Sequence, residues 1–252
     1  MGKVGNDGFG DFIIRNLKEN NVDAQGVKRA SNANTSFTFV MIAPSAERSF
    51  LHYIGANATL RYEDIDFDLI KKCKILHIAG FFLMPGFDGE TTAKVLRQAK
   101  DLGITTALDT CWDSKGNWLK LLQPCLSYVD IFLPSIEEAK MLTNLTKPTE
   151  IADFFLNYGI KTVGLKMGVE GSYIRTKDEE MRLPAYKVRT VDTTGAGDAF
   201  VAGFLAGTIM GWNLEQTAKL ANATGAACVT AIGTTAGIKN LEETMKIISS
   251  SS

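Results

Sequence analysis

The chain has 252 residues, a formal net charge of -1 and 45% hydrophobic residues, enough to bury the core of one large α/β domain. A near-neutral charge without a long basic run gives no reason to expect nucleic acid or an anionic membrane surface as a partner. The most apolar stretch, residues 199–212, is too short and too rich in glycine to span a membrane, and reads as a buried helix.

The first predicted feature is a strand end and turn, Gly2-Lys3-Val4-Gly5-Asn6-Asp7-Gly8-Phe9-Gly10, followed by a helix with Phe9, Phe12, Ile13 and Leu17 at helical spacing. Two strand-like runs come next, at 36–42 and 48–54. A turn containing Pro44 and Ser45 makes them a hairpin. Apolar strands are then expected at 75–79, 104–108, 129–133 and 162–165. Helices are expected between them at 86–102, 115–127 and 136–158, the last split near Pro148. A second hairpin is expected at 172–175 and 181–188, then helices at 196–211, 213–231 and 240–248. The alternation predicts a doubly wound, mainly parallel sheet with helices on both faces and a small β hairpin inserted near the N-terminus. Ligands of such sheets bind at the carboxyl ends of the strands.

Cys73, Cys111, Cys125 and Cys228 form no C-x-x-C pair, and His52 and His77 are the only histidines. No tetrahedral metal site is legible, and four reduced thiols in a cytoplasmic protein are expected.

The segment richest in chemistry is Val191-Asp192-Thr193-Thr194-Gly195-Ala196-Gly197-Asp198-Ala199-Phe200. It runs from a strand end into an apolar helix, with the threonines as candidate N-caps. Glycines let an anion approach the backbone, and N–H groups at a helix N-terminus face it with the helix dipole behind them. A carboxylate in that first turn makes sense if Asp198 accepts a proton from an attacking hydroxyl. Local physics alone leaves a second reading open, a capped helix with an acid in its first turn. Other phosphate motifs are absent. There is no G-x-x-x-x-G-K-[ST], and Phe200 stands where a dinucleotide fingerprint needs its third glycine.

The stretch D-T-T-G-A-G-D, Asp192 to Asp198, resembles the C-terminal signature of the PfkB carbohydrate kinases, the family of ribokinase and fructokinase. Weaker similarities lie in the right order along nearly the whole chain. These are Gly5 to Gly10, Arg48 to Leu60 with Gly55-Ala56-Asn57, Pro134 to Ala139, and Lys166 to Gly171. The resemblance implies one ribokinase-like domain over 1–252, with a lid hairpin at about 31–56. It implies ATP-dependent phosphorylation of a small sugar, with Mg2+, with K+ as a candidate monovalent cation, and with a homodimer formed through the hairpin.

Carried over residue by residue, the resemblance makes Asp198 the base and the backbone of Gly195, Ala196, Gly197 and Asp198 the anion hole. Asp192 matches a residue near a monovalent cation, and a turn-stabilising carboxylate is the alternative. Glu138 matches the glutamate linked to Mg2+, although its usual partner asparagine is Ser135 here. The alternative for Glu138 is a solvated acid at a helix N-terminus. Lys166, Gly168 and Gly171 would lie near the nucleotide, with a surface lysine as the other reading of Lys166. Asn222 and Ala226 would line the adenine pocket, although small residues there also suit tight helix packing. Asn57 and Asp109 would face the substrate. The family often has D-x-N-x-R at Asp109, whereas this chain has Cys111 and Asp113 in place of the asparagine and arginine. The loss of an arginine favours a neutral sugar over an acidic or phosphorylated one.

The resemblance also carries a departure. Family members normally begin with a strand bearing a sugar-holding aspartate, then a G-G turn and an asparagine. This chain starts at Met1-Gly2-Lys3-Val4-Gly5, past those features. Acceptor positioning is therefore expected to be the weaker half of the site. A nucleoside kinase and an inactive nucleotide-binding fragment are the competing expectations.

Overall fold

The computed structural model describes residues 1–42 and 48–250. β1 (Gly2–Gly5) leads into α1 (Gly8–Glu19), whose N-cap Asp7 accepts the Gly10 N–H. β2 (Val27–Ala30) pairs in parallel with β1. The sequence reading has no strand there, because Lys28 and Arg29 leave no apolar alternation to read. β3 (Phe37–Ile42) and β4 (Arg48–Tyr53) form the expected antiparallel hairpin, with Phe37 opposite Tyr53 and Phe39 opposite Leu51. The turn expected at Pro44 and Ser45 lies outside the described residues.

The short α2 (Phe67–Ile70) precedes β5 (Ile75–Phe81), α3 (Glu90–Asp101), β6 (Thr105–Thr110) and α4 (Trp118–Leu126). The helix expected from residue 86 starts later, at Glu90. Its N-cap, Gly89, has φ 80°, a left-handed position open mainly to glycine. β7 (Ile131–Phe132) is followed by α5 (Ile136–Thr143) and α6 (Pro148–Leu156). The predicted split near Pro148 is present: Asn144 ends α5 in a left-handed conformation and Pro148 opens α6. β8 (Thr162–Lys166), β9 (Ser172–Thr176) and β10 (Glu180–Leu183) come next. β10 is shorter than predicted and stops just before Pro184. The chain closes with α7 (Ala196–Ile209), α8 (Leu214–Cys228) and α9 (Leu241–Ser249).

The main sheet has the order β10-β9-β8-β7-β6-β5. β6, β7 and β8 pair in parallel, and β9 and β10 extend the sheet antiparallel. The architecture is thus α/β with a mixed sheet, as the alternating pattern predicts. Two compact units are distinguishable. The first comprises Met1–Cys73, Gly80–Ile104 and Cys111–Cys125, and the second Lys74–Ala79, Thr105–Thr110 and the chain from Leu126 onward.

In the second unit, Phe200, Val201 and Phe204 of α7 join Ala107, Ile131 and Ile174 of the sheet and Ala218 and Ala221 of α8 in one buried cluster. Each large apolar side chain buried there contributes about 1.5–3 kcal/mol. Close approach of α7 to α8 depends on glycine: a Cβ on Gly203 would lie 2.5 Å from Thr224 Oγ1. This packing fixes the start of α7, where the candidate chemistry lies. Among the described residues, no helix is long and apolar enough to cross a membrane.

Candidate active site

The loop before α7 is held by side chains from within it and beyond it. Asp192 Oδ1 accepts the Thr194 N–H at 2.9 Å and the Thr194 hydroxyl at 2.7 Å, and Oδ2 accepts the Gly233 N–H at 3.0 Å. Thr194 is thereby turned away from the helix, and neither threonine caps it. The N-cap is Gly195, with φ 82° and no side-chain cap. A Cβ on Gly195 would sit 2.9 Å from the Thr234 carbonyl oxygen, so only glycine fits. The Cys228 thiol donates to the Thr234 carbonyl at 3.2 Å, and burial pushes its pKa up, reinforced by the charges of Asp192 and Asp198.

Four residues were expected to form the anion hole. Ala196 N–H already donates to Thr193 O at 3.3 Å. Gly197 and Asp198 follow in the first turn, where an α-helix has no carbonyl to offer its N–H groups. Asp198 is exposed and makes no hydrogen bond or ion pair among the described residues. Its charge is felt by Asp109, His77 and Cys228.

The carboxyl ends of the parallel strands converge beside this turn. Lys166, at the end of β8, grips both oxygens of Asp109 at 2.7 and 2.8 Å. A Cβ on Gly197 would lie 3.5 Å from Lys166 Nζ, which puts the ammonium group next to the first turn of α7. Lys166 is therefore not a surface lysine. Asp109 departs from its expected role facing the substrate: it is 5% exposed, and both oxygens are taken up by Lys166. Burial pushes its carboxyl up to about 6, Lys166 draws it back down, and the charges of Glu138 and Asp198 push it up further.

Glu138 belongs to a capping box. Its Oε2 accepts the Ser135 N–H at 3.0 Å while Ser135 Oγ accepts the Glu138 N–H at 3.3 Å. The same Oε2 accepts the Thr110 hydroxyl at 3.0 Å from the end of β6. Oε1 takes no hydrogen bond among the described residues, so Glu138 has one oxygen to offer a cation or its water. No cluster of three or more His, Cys, Asp or Glu side chains able to hold a metal occurs among the described residues.

Gly168 and Gly171 flank a tight loop closed by Met167 N–H on Gly171 O at 2.9 Å, and both have positive φ. Asn222 is buried in α8, and its amide donates to the carbonyls of Leu183 and Pro184 at 3.3 and 3.1 Å. Asn222 thus anchors the chain after β10, and Ala226 is buried in the same helix. Asn57 lies in the first unit, in the 3-10 turn Gly55–Thr59, with its N–H on Ser36 Oγ at 2.9 Å.

Two neighbours of these groups escape sequence reasoning. Thr110 is a buried hydroxyl on Glu138, and its only signal is a polar residue ending an apolar strand. His77 on β5 has its pKa lowered by burial, and it feels the opposing charges of Lys166 and Asp198. A lone histidine in an apolar run gives no such signal.

Comparison with known proteins gives the family. The family model described as "pfkB family carbohydrate kinase" matches residues 1–241. The chain belongs to this family. It is 30% identical over 253 residues to a ribokinase of Staphylococcus aureus, covering 97% of this chain and 80% of that protein. It is also 30% identical over 261 residues to a 2-dehydro-3-deoxygluconokinase of Bacillus subtilis, covering 99% and 80%. A provisionally named ribokinase II from E. coli, solved with ATP and Mg2+, superposes with a TM-score of 0.86 at 28% identity. That superposition covers 99% of this chain and 82% of the E. coli chain. The ribokinase-like α/β fold and the carbohydrate-kinase class expected from Asp192 to Asp198 both hold.

Proposed function

We propose that this kinase transfers the terminal phosphoryl group of ATP to a hydroxyl of a neutral sugar, with Asp198 as the base. The observation that carries this reading is the exposed, unpaired Asp198 carboxylate in the first turn of α7, beside amide N–H groups without helical partners. Asp198 takes the hydroxyl proton as the oxygen attacks. The N–H groups of Gly197 and Asp198, with the helix dipole, stabilise charge on the transferred oxygens. Lys166 keeps a fixed positive charge beside that turn, because Asp109 holds it from within the fold. Asp109 acts by positioning Lys166.

ATP and Mg2+ in the E. coli relative support this choice of donor and ion. Mg2+ bound with the nucleotide draws charge from the phosphates, and Glu138 Oε1 is the oxygen that would hold its water shell. We read Asp192 mainly as the group that orders the Thr194 turn. Replacing K+ with Na+ in the assay tests a cation role there. The two enzymatic relatives are equally identical to this chain, so the acceptor follows from the chain's own residues. Asp113 occupies the arginine position, which favours a neutral sugar over 2-keto-3-deoxygluconate.

The β3–β4 hairpin carries an exposed apolar face. Phe39 is 59% and Leu51 63% exposed, and the rings of Phe37 and Tyr53 meet at a tilt with 5.5 Å between centroids. This supports a homodimer through the hairpin, and sedimentation of Phe39→Lys tests it.

The decisive experiment is Asp198→Asn assayed with ATP and a panel of ribose, fructose, 2-keto-3-deoxygluconate and adenosine. Turnover is expected to fall about 10²–10⁴-fold, with KM for ATP little changed and the melting temperature unmoved. Unchanged turnover would remove Asp198 from the reaction. Preferred turnover of adenosine would make the chain a nucleoside kinase.

A further inference from the structure

Most threonine hydroxyls of the chain are spent on backbone carbonyls. Thr92 donates to Phe87 O at 2.9 Å, Thr224 to Leu220 O at 2.7 Å and Thr244 to Asn240 O at 2.9 Å. A few donate to a carboxylate instead: Thr35 to Asp7, Thr106 to Asp130, Thr194 to Asp192 and Thr110 to Glu138. In the first three pairs the carboxylate is tied at both oxygens. Asp7 accepts the Gly10 N–H on Oδ1 and the Thr35 N–H on Oδ2. Asp130 meets Lys161 through Oδ1 at 3.0 Å and Thr106 through Oδ2. Asp192 holds Thr194 with Oδ1 and Gly233 with Oδ2. These carboxylates clamp the fold and have no oxygen left to offer.

Glu138 is held differently. The Ser135 N–H and the Thr110 hydroxyl both fall on Oε2, each at 3.0 Å. A carboxylate only accepts, with about two lone-pair sites on each oxygen, so the hydroxyl must donate and Oε2 is filled. Oε1 takes no hydrogen bond among the described residues, and Glu138 is only half-buried. Thr110 itself is 4% exposed and ends β6, which is buried along most of its length. That is the end of a parallel strand at which ligands of α/β sheets bind. The Thr110 N–H donates to Asp109 Oδ1 at 2.9 Å, and the same oxygen accepts Lys166 Nζ at 2.8 Å. The Lys166 N–H donates in turn to Pro134 O at 3.0 Å, one residue before the cap of α5. The end of β6 thus sets Lys166 and Glu138 in fixed relation to each other.

We propose that Thr110 is a positioning residue for the metal ion of phosphoryl transfer. Its hydroxyl fills Oε2 and stops the Glu138 carboxylate from turning, so that Oε1 is the oxygen presented to Mg2+ or to a water of its shell. The proposal rests on the reading of Glu138 given above and adds the group that aims it. Hydrogen bonds from outside a metal's own ligands orient those ligands, and losing one costs metal affinity. A threonine that merely tied β6 to α5 would leave the metal unaffected when replaced.

The test uses ADP, which binds without turnover and needs no acceptor. The affinity of the full chain for ADP is measured by titration calorimetry in Mg2+ and in EDTA, and the ratio gives the tightening due to the metal. Thr110→Val keeps the side-chain shape and removes the hydroxyl. It should reduce that tightening about tenfold while leaving the affinity in EDTA at the parental value. Thr110→Ala should do the same, and Thr110→Ser, which keeps the hydroxyl, should retain most of the tightening. In turnover, Thr110→Val and Thr110→Ala should need about tenfold more Mg2+ for half-maximal rate, with KM for the sugar unchanged. Glu138→Ala must also lose the tightening; if it does not, the reading of Glu138 fails and this inference fails with it. If Glu138→Ala loses it while a variant without the hydroxyl, native by circular dichroism, keeps it, the role of Thr110 alone is overturned. Failure of Thr110→Ser to retain the tightening overturns that role as well.

Discussion

In the second unit the carboxylates are tied down: Asp109 to Lys166, Asp192 to Thr194 and Gly233, and Glu138 to Ser135 and Thr110. Asp198 stands free at the head of α7 among them. In the first unit Asp88 and Asp113 are spent on turns that present aromatic rings, and the hairpin leaves Phe39 and Leu51 in solvent. One unit fixes charges around an open carboxylate, and the other displays apolar surface. Proton and phosphoryl transfer need the first kind of order, because fixed charges and dipoles reorganise little during reaction. Recognition of another protein surface needs the second.

The contrast can be broken at its largest point by Lys166→Met. This strips the buried Asp109 of the cation that holds its carboxyl down, so that it must either stay charged without a counter-ion or take up a proton, at an expected cost of about 3–5 kcal/mol in denaturant unfolding. Adding Asp109→Asn should return much of that loss, and a single variant as stable as the parent would show that the pair is not buried in solution. Next is Gly195→Ala, which forces a Cβ against Thr234 at positive φ. A loss of about 1–3 kcal/mol in stability is expected, together with a fall in kcat as the turn shifts.

Smaller is a pH effect. Asp88 and Asp109 both have carboxyls pushed up to about 6, whereas an unfolded aspartate ionises near ~3.9. The folded state therefore holds these protons more tightly than the unfolded one. The stability they contribute is fully present below about pH 4 and is lost as pH rises through about 6. Asp88→Asn should flatten that slope and raise stability at pH 7 by about 1 kcal/mol, allowing for a partly exposed site. A slope identical to the parent's would count against the buried carboxyl. The smallest effect is expected of Glu138→Ala, which loses half of the capping box, about 1 kcal/mol. The sharper readout is the Mg2+ concentration for half-maximal activity, which should rise.

Much of the fold was legible because its signals are local. The hairpin, β5, β6, β8, α7 and α8 each announce themselves by periodicity or by glycine and proline at their ends. β2 was not, since its four residues are stabilised by pairing with β1 rather than by their own pattern. The start of α3 was misplaced because the backbone angle at Gly89 decides it. The threonine caps proposed for α7 failed for a related reason: Asp192, two residues earlier, competes for Thr194.

The sequence by itself determined the family, the glycine turn and the position of Asp198, because that chemistry is carried by seven contiguous residues, Asp192 to Asp198. Tertiary structure decided what surrounds them. Lys166 and Asp109 are 57 residues apart, Thr110 and Glu138 are 28 apart, and Asn222 reaches back 38 residues to Pro184. Such partners are chosen by strand order and helix packing, which bring together side chains that no local spacing relates. The same holds for Phe82 and Trp118, whose rings meet edge to face although 36 residues separate them.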